Sequence, residues 1–155
     1  MIYNSLVSRT NPWTFKKATM VNDYDYGYLK HFFKAKGIIL AGGISSSIVI
    51  SEDNGKTWKF AIDGTTDGHS YSVNGFYYAN GLFIAYGDFY NKSGFYYSTD
   101  GKTWTSSKSA INEEIIKVVY GNNAFIALGS YPSYDIYYSE DGKEWETLSI
   151  SSVYK

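Results

Sequence analysis

Short apolar stretches recur along this chain, separated by turns rich in glycine, asparagine and acidic residues. Three such stretches are paired around two-residue turns, at 33–43, 77–87 and 119–129, and Asn80-Gly81 is the clearest of these turns. Asn-Gly between apolar residues favours a type I′ turn, because both central positions need a positive φ. The pattern therefore predicts a β-hairpin at each of the three places.

A second predicted hairpin follows each of the first ones. Its incoming strand is apolar at consecutive positions, and its outgoing strand begins at a tryptophan. The incoming strands are residues 48–51, 95–98 and 136–139, and the tryptophans are Trp58, Trp104 and Trp145. The tryptophans recur roughly every 45 residues, which is typical of a repeat protein. Each repeat is therefore predicted to contain four strands in up-and-down order.

The unbroken apolar runs indicate how the repeats pack. A strand with one solvated face alternates apolar and polar residues, whereas a strand covered on both faces is apolar at consecutive positions. Stacked propeller blades cover each other in this way, and a two-layer sandwich does so only in part. We therefore predict an all-β, β-propeller-like fold of four-stranded antiparallel blades. Residues 110–117 are the one candidate for a helix, and we interpret them as a linker entering a strand.

The repeats divide the chain into three full units and one half unit within a single domain, residues 1–155. The full units are predicted at about 26–62, 70–108 and 115–150, and the half unit at 1–20. In the half unit, Ile2-Tyr3-Asn4-Ser5 is similar to an incoming strand, and Trp13 corresponds to the repeated tryptophan. An incomplete unit either closes a four-bladed ring as one thin blade or leaves a sheet edge that invites pairing with another subunit. We therefore expect self-association or a protein partner near residues 1–20 and 148–155.

The turn of each second hairpin carries the pattern Ser-x-Asp-x-Gly-x-Thr-Trp. Residues 51–58 match it in full, and 98–104 and 139–145 match it with a turn one residue shorter and, in the last, Glu for Thr. We expect its aspartate to accept hydrogen bonds from turn amides, its glycine to adopt a backbone angle that side chains resist, and its tryptophan to fold over the turn. These structural residues are Ser51, Asp53, Gly55, Trp58, Ser98, Asp100, Gly101, Trp104, Ser139, Asp141, Gly142 and Trp145.

With these three motifs the chain resembles the Asp-box (BNR) repeat families, which include sialidases, sortilin-type receptors and photosystem II assembly factors. The segment Tyr-Ser-Thr-Asp-Gly-Lys-Thr-Trp-Thr at 97–105, preceded by the Asn-Gly hairpin at 78–85, is most similar to repeats of uncharacterised phage and bacterial proteins. The resemblance implies that the box is structural and lies at the outer edge of a blade. It also implies a non-enzymatic structural or receptor-binding component of a phage particle.

The amino-acid composition excludes several classes of site and function. There is no cysteine, which excludes disulfides and thiolate-bound metals, and a net charge of −1 gives no field favouring nucleic acid. Sialidases clamp the substrate carboxylate with three arginines, and this chain has only Arg9. The N-terminus has no basic segment followed by an apolar run, and no apolar stretch is long enough to span a membrane. We expect synthesis in a cytoplasm without a signal peptide, and a place in the virion if a phage encodes the chain.

The candidate catalytic residues are few. A glycosidase needs two opposed carboxylates, but the adjacent Glu113 and Glu114 would point to opposite faces of a strand. We interpret them as a solvated strand entrance. Histidine occurs only at His31 and His69. We expect surface roles for both and predict that the chain is not an enzyme.

No metal or cofactor site is predicted. A zinc site would need both histidines and Asp67. A calcium loop starting at Asp23-Tyr24-Asp25 would lack its third acidic ligand and its distal glutamate, where Lys34 stands instead. The pair Gly42-Gly43 has no lysine after it and so forms no phosphate loop.

Loop tyrosines are the remaining candidates for binding. Tyrosine suits sugar faces and protein hot spots because its ring is rigid, broad and polar at one tip. The candidate binding residues are Tyr24, Tyr26, Tyr28, Phe89, Tyr90, Tyr131 and Tyr134. Alternatives to the phage component are a free-standing bacterial glycan-binding or scaffolding protein, and a non-catalytic accessory domain of a glycoside hydrolase system.

Overall fold

The structure, a computed structural model, describes residues 19–20, 29–43, 47–63, 72–89, 94–109, 111 and 113–148. The strands in these residues are β1 (Thr19–Met20), β2 (Leu29–Ala35), β3 (Ile38–Gly43), β4 (Ile48–Ser51), β5 (Thr57–Ile62), β6 (Ser72–Ala79), β7 (Leu82–Asp88), β8 (Phe95–Ser98), β9 (Thr105–Ser106), β10 (Ile115–Gly121), β11 (Ala124–Gly129), β12 (Ile136–Ser139) and β13 (Glu146–Leu148). Within the described part, no helix is long and apolar enough to cross a membrane.

Each predicted repeat forms one antiparallel sheet whose strands are neighbours in chain order. Blade 1 contains β2–β5, blade 2 contains β6–β9 and blade 3 contains β10–β13. A register shift interrupts the first strand pair of every blade at the same position, occupied by Lys30, Asn74 and Ile116. The predicted all-β class and the up-and-down order of four strands are confirmed.

The first hairpin of each blade closes on the predicted two-residue turn. In blade 2, Asn80 and Gly81 have φ values of 50° and 78°, and in blade 1, Lys36 and Gly37 have values of 52° and 80°. Positive φ at both central positions is the type I′ geometry that matches the twist of a hairpin. The strand-turn-strand pattern was therefore predicted correctly from local sequence.

Strand β1 adds a feature that the sequence did not predict. It pairs in parallel with β5, with Thr19 opposite Thr57 and Met20 opposite Trp58, and so extends blade 1 to five strands. The rest of the predicted half unit, residues 1–18, lies outside the described residues, as do residues 149–155. Within the described part, the N-terminal side of the chain therefore runs along the outer edge of blade 1.

The core lies between successive blades. One buried cluster joins Leu40 and Ile50 of blade 1 to Val73 and Phe76 of blade 2. A second cluster joins blade 2 to blade 3, with Ile84, Phe95, Ile115, Val118 and Phe125 among its members. All four residues of β4 are buried, as the apolar run predicted. Ile48 and Ile50 pack against blade 2, and Val49, on the opposite face of the sheet, is fully buried as well. The blades are therefore stacked face to face, as in a propeller.

The aspartates of the three acidic turns, residues 51–58, 98–104 and 139–145, accept the predicted hydrogen bonds. Asp53 Oδ1 accepts from the amides of Lys56 and Thr57 at 3.0 and 2.9 Å. Asp100 and Asp141 each accept from the two corresponding amides of their own turns. The amide of Thr57 contributes most to lowering the pKa of Asp53 to about 2.

The tryptophans do not behave alike. The indole nitrogens of Trp58 and Trp104 donate to the carbonyls of Gly55 and Gly101, at 3.1 and 3.0 Å, so both rings fold over their turns as predicted. Trp145 differs in this hydrogen bond. Its ring is stacked on Phe95 of blade 2, with centroids 3.9 Å apart, and its buried indole nitrogen has no hydrogen-bond partner among the described residues.

Candidate functional site

A groove with a volume of about 310 Å³ lies between blades 2 and 3. It is formed by the β7–β8 connection, the β11–β12 connection and the linker that enters β10. Its lining residues are Asp88, Phe89, Gly94, Ile111, Glu113, Glu114, Ser130 and Tyr131. Equivalent connections of two neighbouring blades therefore meet at one site.

The β11–β12 connection presents two tyrosines to solvent beside this groove. Tyr131 is 77% exposed and Tyr134 is 51% exposed, and their rings lie edge to face with centroids 6.3 Å apart. The loop is closed by the amide of Tyr134, which donates to the carbonyl of Ser130 at 2.9 Å, and by the amide of Gly129, which donates to the carbonyl of Asp135 at 2.9 Å. These backbone contacts hold the two rings on a defined loop.

Glu113 connects this loop to the body of blade 3. Its carboxylate accepts from the hydroxyl of Ser133 at 2.7 Å and from the hydroxyl of Tyr137 at 2.6 Å. Burial, followed by the Glu113 carboxylate, raises the pKa of Tyr137, so this phenol stays a hydrogen-bond donor. A side chain on Gly129 would collide with the Glu113 carboxyl group, which packs directly against that glycine.

Glu114 connects blade 3 to blade 2. Its side chain accepts a hydrogen bond from the side-chain amide nitrogen (Nδ2) of Asn74 at 2.5 Å. The same nitrogen also donates to the backbone carbonyl of Ile115 at 3.0 Å. The carbonyl of Glu114 accepts from the amide of Ser130 at 2.8 Å. Asn74 occupies the register-shift position of blade 2, and the sequence gave no sign that it would reach across to blade 3.

The interpretation of Glu113 and Glu114 as a solvated strand entrance was half right. Both residues directly precede β10, but both are half-buried and hydrogen-bonded to side chains. The reason is that β10 enters next to blade 2, where Asn74 and the 130–135 loop meet the two carboxylates. The pairing of two glutamates was visible in the sequence, but their partners are distant in the chain and were not.

The chemistry of the groove is acidic and aromatic. The described residues that line it include the carboxylates of Asp88, Glu113 and Glu114, and no basic side chain is among these described residues. Within the described part, no group of three His, Cys, Asp or Glu side chains has an arrangement that could hold a metal ion. Carboxylate oxygens accept hydrogen bonds from hydroxyl groups, and tyrosine faces pack against apolar ring surfaces.

A larger and shallower hollow, with a volume of about 600 Å³, lies at the outer edge of blade 3. Its lining includes the third acidic turn and the strand β13. The residues are Lys108, Ser109, Tyr138, Glu140, Asp141, Glu144, Trp145 and Glu146. Of its possible anchors, the Trp145 ring is buried between the blades, so the hollow offers mainly carboxylates and is the weaker candidate.

The predicted binding residues separate into three groups. Tyr131 and Tyr134 are exposed at the groove. Phe89 lines the groove, but it is only 4% exposed and packs on Tyr96 with centroids 4.8 Å apart, so most of its side chain belongs to the core. Tyr24, Tyr26, Tyr28 and Tyr90 lie outside the described residues, as do His69, Asp67, Asp23 and Asp25.

His31 is half-buried on β2, opposite Gly42 of β3. It therefore belongs to the packed sheet of blade 1, at a distance in the chain from the loops that line the groove.

No family model matches the chain, and no curated protein matches it either. Solved structures do match. YCF48 from Cyanidioschyzon merolae, a β-propeller, is 19% identical with a TM-score of 0.56 over 77% of this chain and 36% of its own. The computationally designed Ika8 protein is 14% identical with a TM-score of 0.54, over 83% of this chain and 38% of its own.

The computationally designed Ika4 protein is 12% identical with a TM-score of 0.53, over 86% of this chain and 78% of its own. The chain thus spans little more than a third of YCF48 and of Ika8, and most of Ika4. At these identities the matches bear on fold alone. They agree with the stacked four-stranded sheets, and the chain has an all-β, propeller-like repeat fold.

Proposed function

We propose that this chain is a non-enzymatic Asp-box repeat protein and a receptor-binding component of a phage particle, which recognises a neutral glycan at the groove between blades 2 and 3. The observation that carries the proposal is the pair of exposed tyrosines, Tyr131 and Tyr134, beside an acidic groove. The phage assignment is supported by the similarity of residues 97–105 to phage repeats, and peptide mass spectrometry of purified virions tests it.

The groove favours neutral sugars over acidic ones. Sugar hydroxyls are donors that the carboxylates of Asp88, Glu113 and Glu114 can accept, and the apolar face of a pyranose packs on a tyrosine ring. A sialic or uronic acid would bring a like charge close to three carboxylates. Specificity for an uncharged glycan follows from the lining residues.

The hydrogen bonds of the groove support a binding role in place of hydrolysis. Glycoside hydrolysis needs one carboxyl group that protonates the leaving oxygen and a second one opposite it. Here Glu113 is engaged by Ser133 and Tyr137, and Glu114 is engaged by Asn74. Both carboxylates therefore hold the loop and the blade junction in place.

A glycan array with the isolated chain tests the proposal, followed by calorimetric titration of the best soluble sugar. Tyr131→Ala and Tyr134→Ala should each weaken binding about tenfold, because stacking on an aromatic ring contributes on the order of 1 kcal/mol. Phe32→Ser is the matched control, since Phe32 is also an exposed aromatic residue, at 65%, but lies in blade 1. An array without binding, or equal losses in all three variants, would overturn the proposal.

A second function, as a construction part of a larger assembly, is favoured by a separate observation. The outer face of blade 3 exposes Val119, Leu128 and Leu148, at 46%, 38% and 46%. These apolar residues lie away from the lining of the groove. An assembly role and a binding role therefore use different surfaces, and separate variants test each of them.

A further inference from the structure

We propose that the outer face of blade 3 binds blade 1 of a second copy of this chain, so that two copies close one ring of blades. The inference is independent of glycan binding. It rests on the junctions between blades 1 and 2 and between blades 2 and 3. The residues that form these junctions have exposed equivalents on the outer face of blade 3 and on blade 1.

The outer face of blade 3 carries residues that are covered at the same positions in the other blades. Leu40 of blade 1 and Ile84 of blade 2 are both fully buried, whereas the equivalent Ile126 is half-buried. Tyr86 is 7% exposed, whereas the equivalent Leu128 is 38% exposed. In the first two blades the next blade covers these positions, and blade 3 has no next blade among the described residues.

The outer face of blade 3 has two rows of mainly apolar side chains, with Lys117 and Glu146 at its margins. Val119 pairs with Ile126, and in the neighbouring row Leu128 pairs with Ile136, which in turn pairs with Leu148. Side chains two residues apart on a strand share a face, so both rows point the same way. This is the face that, in blades 1 and 2, packs on the following blade.

Blade 1 carries the other half of this junction, at the position of Phe32. Phe32 stands at the position of Phe76 in blade 2 and Val118 in blade 3, as the repeat alignment and the strand registers show. Phe76 and Val118 are 7% and 1% exposed because the preceding blade covers them, whereas Phe32 is 65% exposed. Among the described residues, the face of blade 1 that should receive a preceding blade is therefore exposed at Phe32, while Ala41 and Val49 on the same face are buried.

The glycines of the three acidic turns also differ in their contact with a preceding blade. A Cβ on Gly101 would collide with Ile38 of blade 1, and a Cβ on Gly142 would lie 2.7 Å from Leu82 of blade 2. Each turn thus packs against the first hairpin of the preceding blade. Among the described residues, a Cβ on Gly55 would meet only its own Trp58, at 3.9 Å. The first turn has a similar positive φ but no described neighbour from another blade.

The charged residues at the two exposed faces are also complementary. Lys102 of the second turn forms an ion pair with Glu52 of the first. The residues at the equivalent positions of an unmade junction are Lys56 of the first turn and Glu140 of the third, and both are exposed. When blade 1 of one copy packs on blade 3 of another, its Lys56 comes next to Glu140, and the same kind of pair forms.

A closed ring is expected to contain two copies of the chain. Propellers contain about four to eight blades, so two chains of three blades each give a ring in that range, and three chains exceed it. Two copies use the same junction twice around a two-fold axis, which is the commonest symmetry of homo-oligomers. The strand β1 pairs with β5 at the outer edge of blade 1, so these two residues extend the sheet sideways.

The mass of the full-length protein in solution, measured by light scattering across a concentration series, tests this proposal. We expect twice the chain mass of 17.5 kDa. Leu128→Glu places a charge on the blade 3 face, and Phe32→Ser removes an apolar side chain of the blade 1 face that is 65% exposed. Both positions are exposed, so each variant should keep a folded circular dichroism spectrum and fall to a single chain mass.

Tyr131→Ala is the matched control and should keep the doubled mass, because Tyr131 belongs to the groove and not to either face. A wild-type protein of single mass at all concentrations would overturn the proposal, whether residues 1–18 or a different protein covers the face. A doubled mass that survives both face variants would overturn it as well. Glycan binding lost with the ring intact, or the reverse, separates this proposal from the proposed function.

Discussion

At the scale of single residues, the acidic turns place carboxylates where backbone amides would otherwise lack partners. Asp100 accepts from the amides of Lys102 and Thr103 at 2.7 and 2.8 Å, and Ser98 donates to it as well. The Thr103 amide, followed by that of Lys102, lowers the pKa of Asp100 to about 2 from an ordinary value of 3.8. The ionised form is therefore the one that the fold stabilises.

This pKa shift predicts an acid-sensitive stability. A carboxyl group whose pKa is lower in the folded state adds stability above its unfolded pKa, and that stability is lost as pH falls through the folded pKa. We expect the free energy of unfolding to fall from about pH 4 to about pH 2, and Asp100→Asn to be less stable at pH 7 with a flatter profile in that window. Urea unfolding at a series of pH values measures this.

The control for this measurement is Asp88→Asn, because Asp88 lies at the end of β7 and outside any acidic turn. It should reproduce the wild-type profile between pH 2 and pH 4, a window set by the lowered carboxyl pKa values. An Asp100→Asn variant with the full wild-type pH dependence would show that the turn amides do not stabilise the ionised carboxylate.

Trp145 and Trp58 are expected to differ in how much the free energy of unfolding falls when each is replaced by alanine. Trp145 is 7% exposed and stacked on Phe95, whereas Trp58 is half-buried and makes an edge contact with Phe32 at 6.2 Å. Trp145→Ala should lower the free energy of unfolding by about 3–5 kcal/mol, as removal of a buried aromatic ring does, and Trp58→Ala by clearly less. Chemical denaturation of both variants measures the difference, and equal losses would contradict the assigned stacking.

At the scale of elements, local sequence was enough to predict the hairpins and their turns. Asn80-Gly81 fixed a turn type, and the runs that became β4 and β7 predicted strands covered on both faces. What failed depends on contacts that are distant in the chain. Three such features are the parallel pairing of β1 with β5, the burial of Phe89 and the hydrogen bond from Asn74 to Glu114. None has a signature in neighbouring residues, since each is decided by contacts between segments that are distant in the chain.

The packing of each acidic turn on the preceding blade predicts a contrast between two glycines. Gly37 and Gly101 have φ values of 80° and 73°, so alanine brings a similar backbone strain of about 1–2 kcal/mol at both. A Cβ at Gly37 meets nothing within 4 Å, whereas at Gly101 it collides with Ile38. Gly101→Ala should therefore lower the thermal midpoint well beyond Gly37→Ala. Calorimetry of the two variants decides, and equal midpoints would contradict the turn-to-blade contact.

At the scale of the whole molecule, the repeat explains both the core and the surfaces that remain open. Two clusters of buried residues fill the two junctions between the blades, and the same positions are exposed at the free ends, at Phe32 and at Leu128. The sequence predicted three full repeats, and the association that it predicts near the chain ends stays a prediction. It did not predict which face is open, because only the stacking order of the blades shows which side of a strand is covered.

The candidate site also depends on the whole molecule. Tyr131 and Tyr134 were predicted from their position in a loop, but their groove exists only because blades 2 and 3 bring two connections together. The carboxylates of Glu113 and Glu114 were visible as a pair, and their partners Ser133, Tyr137 and Asn74 come from a different loop or a different blade. A binding site between repeats is therefore predicted in part by the loops and completed by the packing.

The most direct test of the central claim, that free blade faces repeat the internal junction, is a cross-link across the proposed contact. The chain has no cysteine, so Lys56→Cys and Glu140→Cys can be prepared as separate proteins, mixed and treated with a short bismaleimide. The positive control is one chain carrying Lys102→Cys and Glu52→Cys, which should cross-link internally. The account predicts a covalent pair of chains joining Cys at 56 to Cys at 140; a mixture that stays uncross-linked while the control reacts would contradict it.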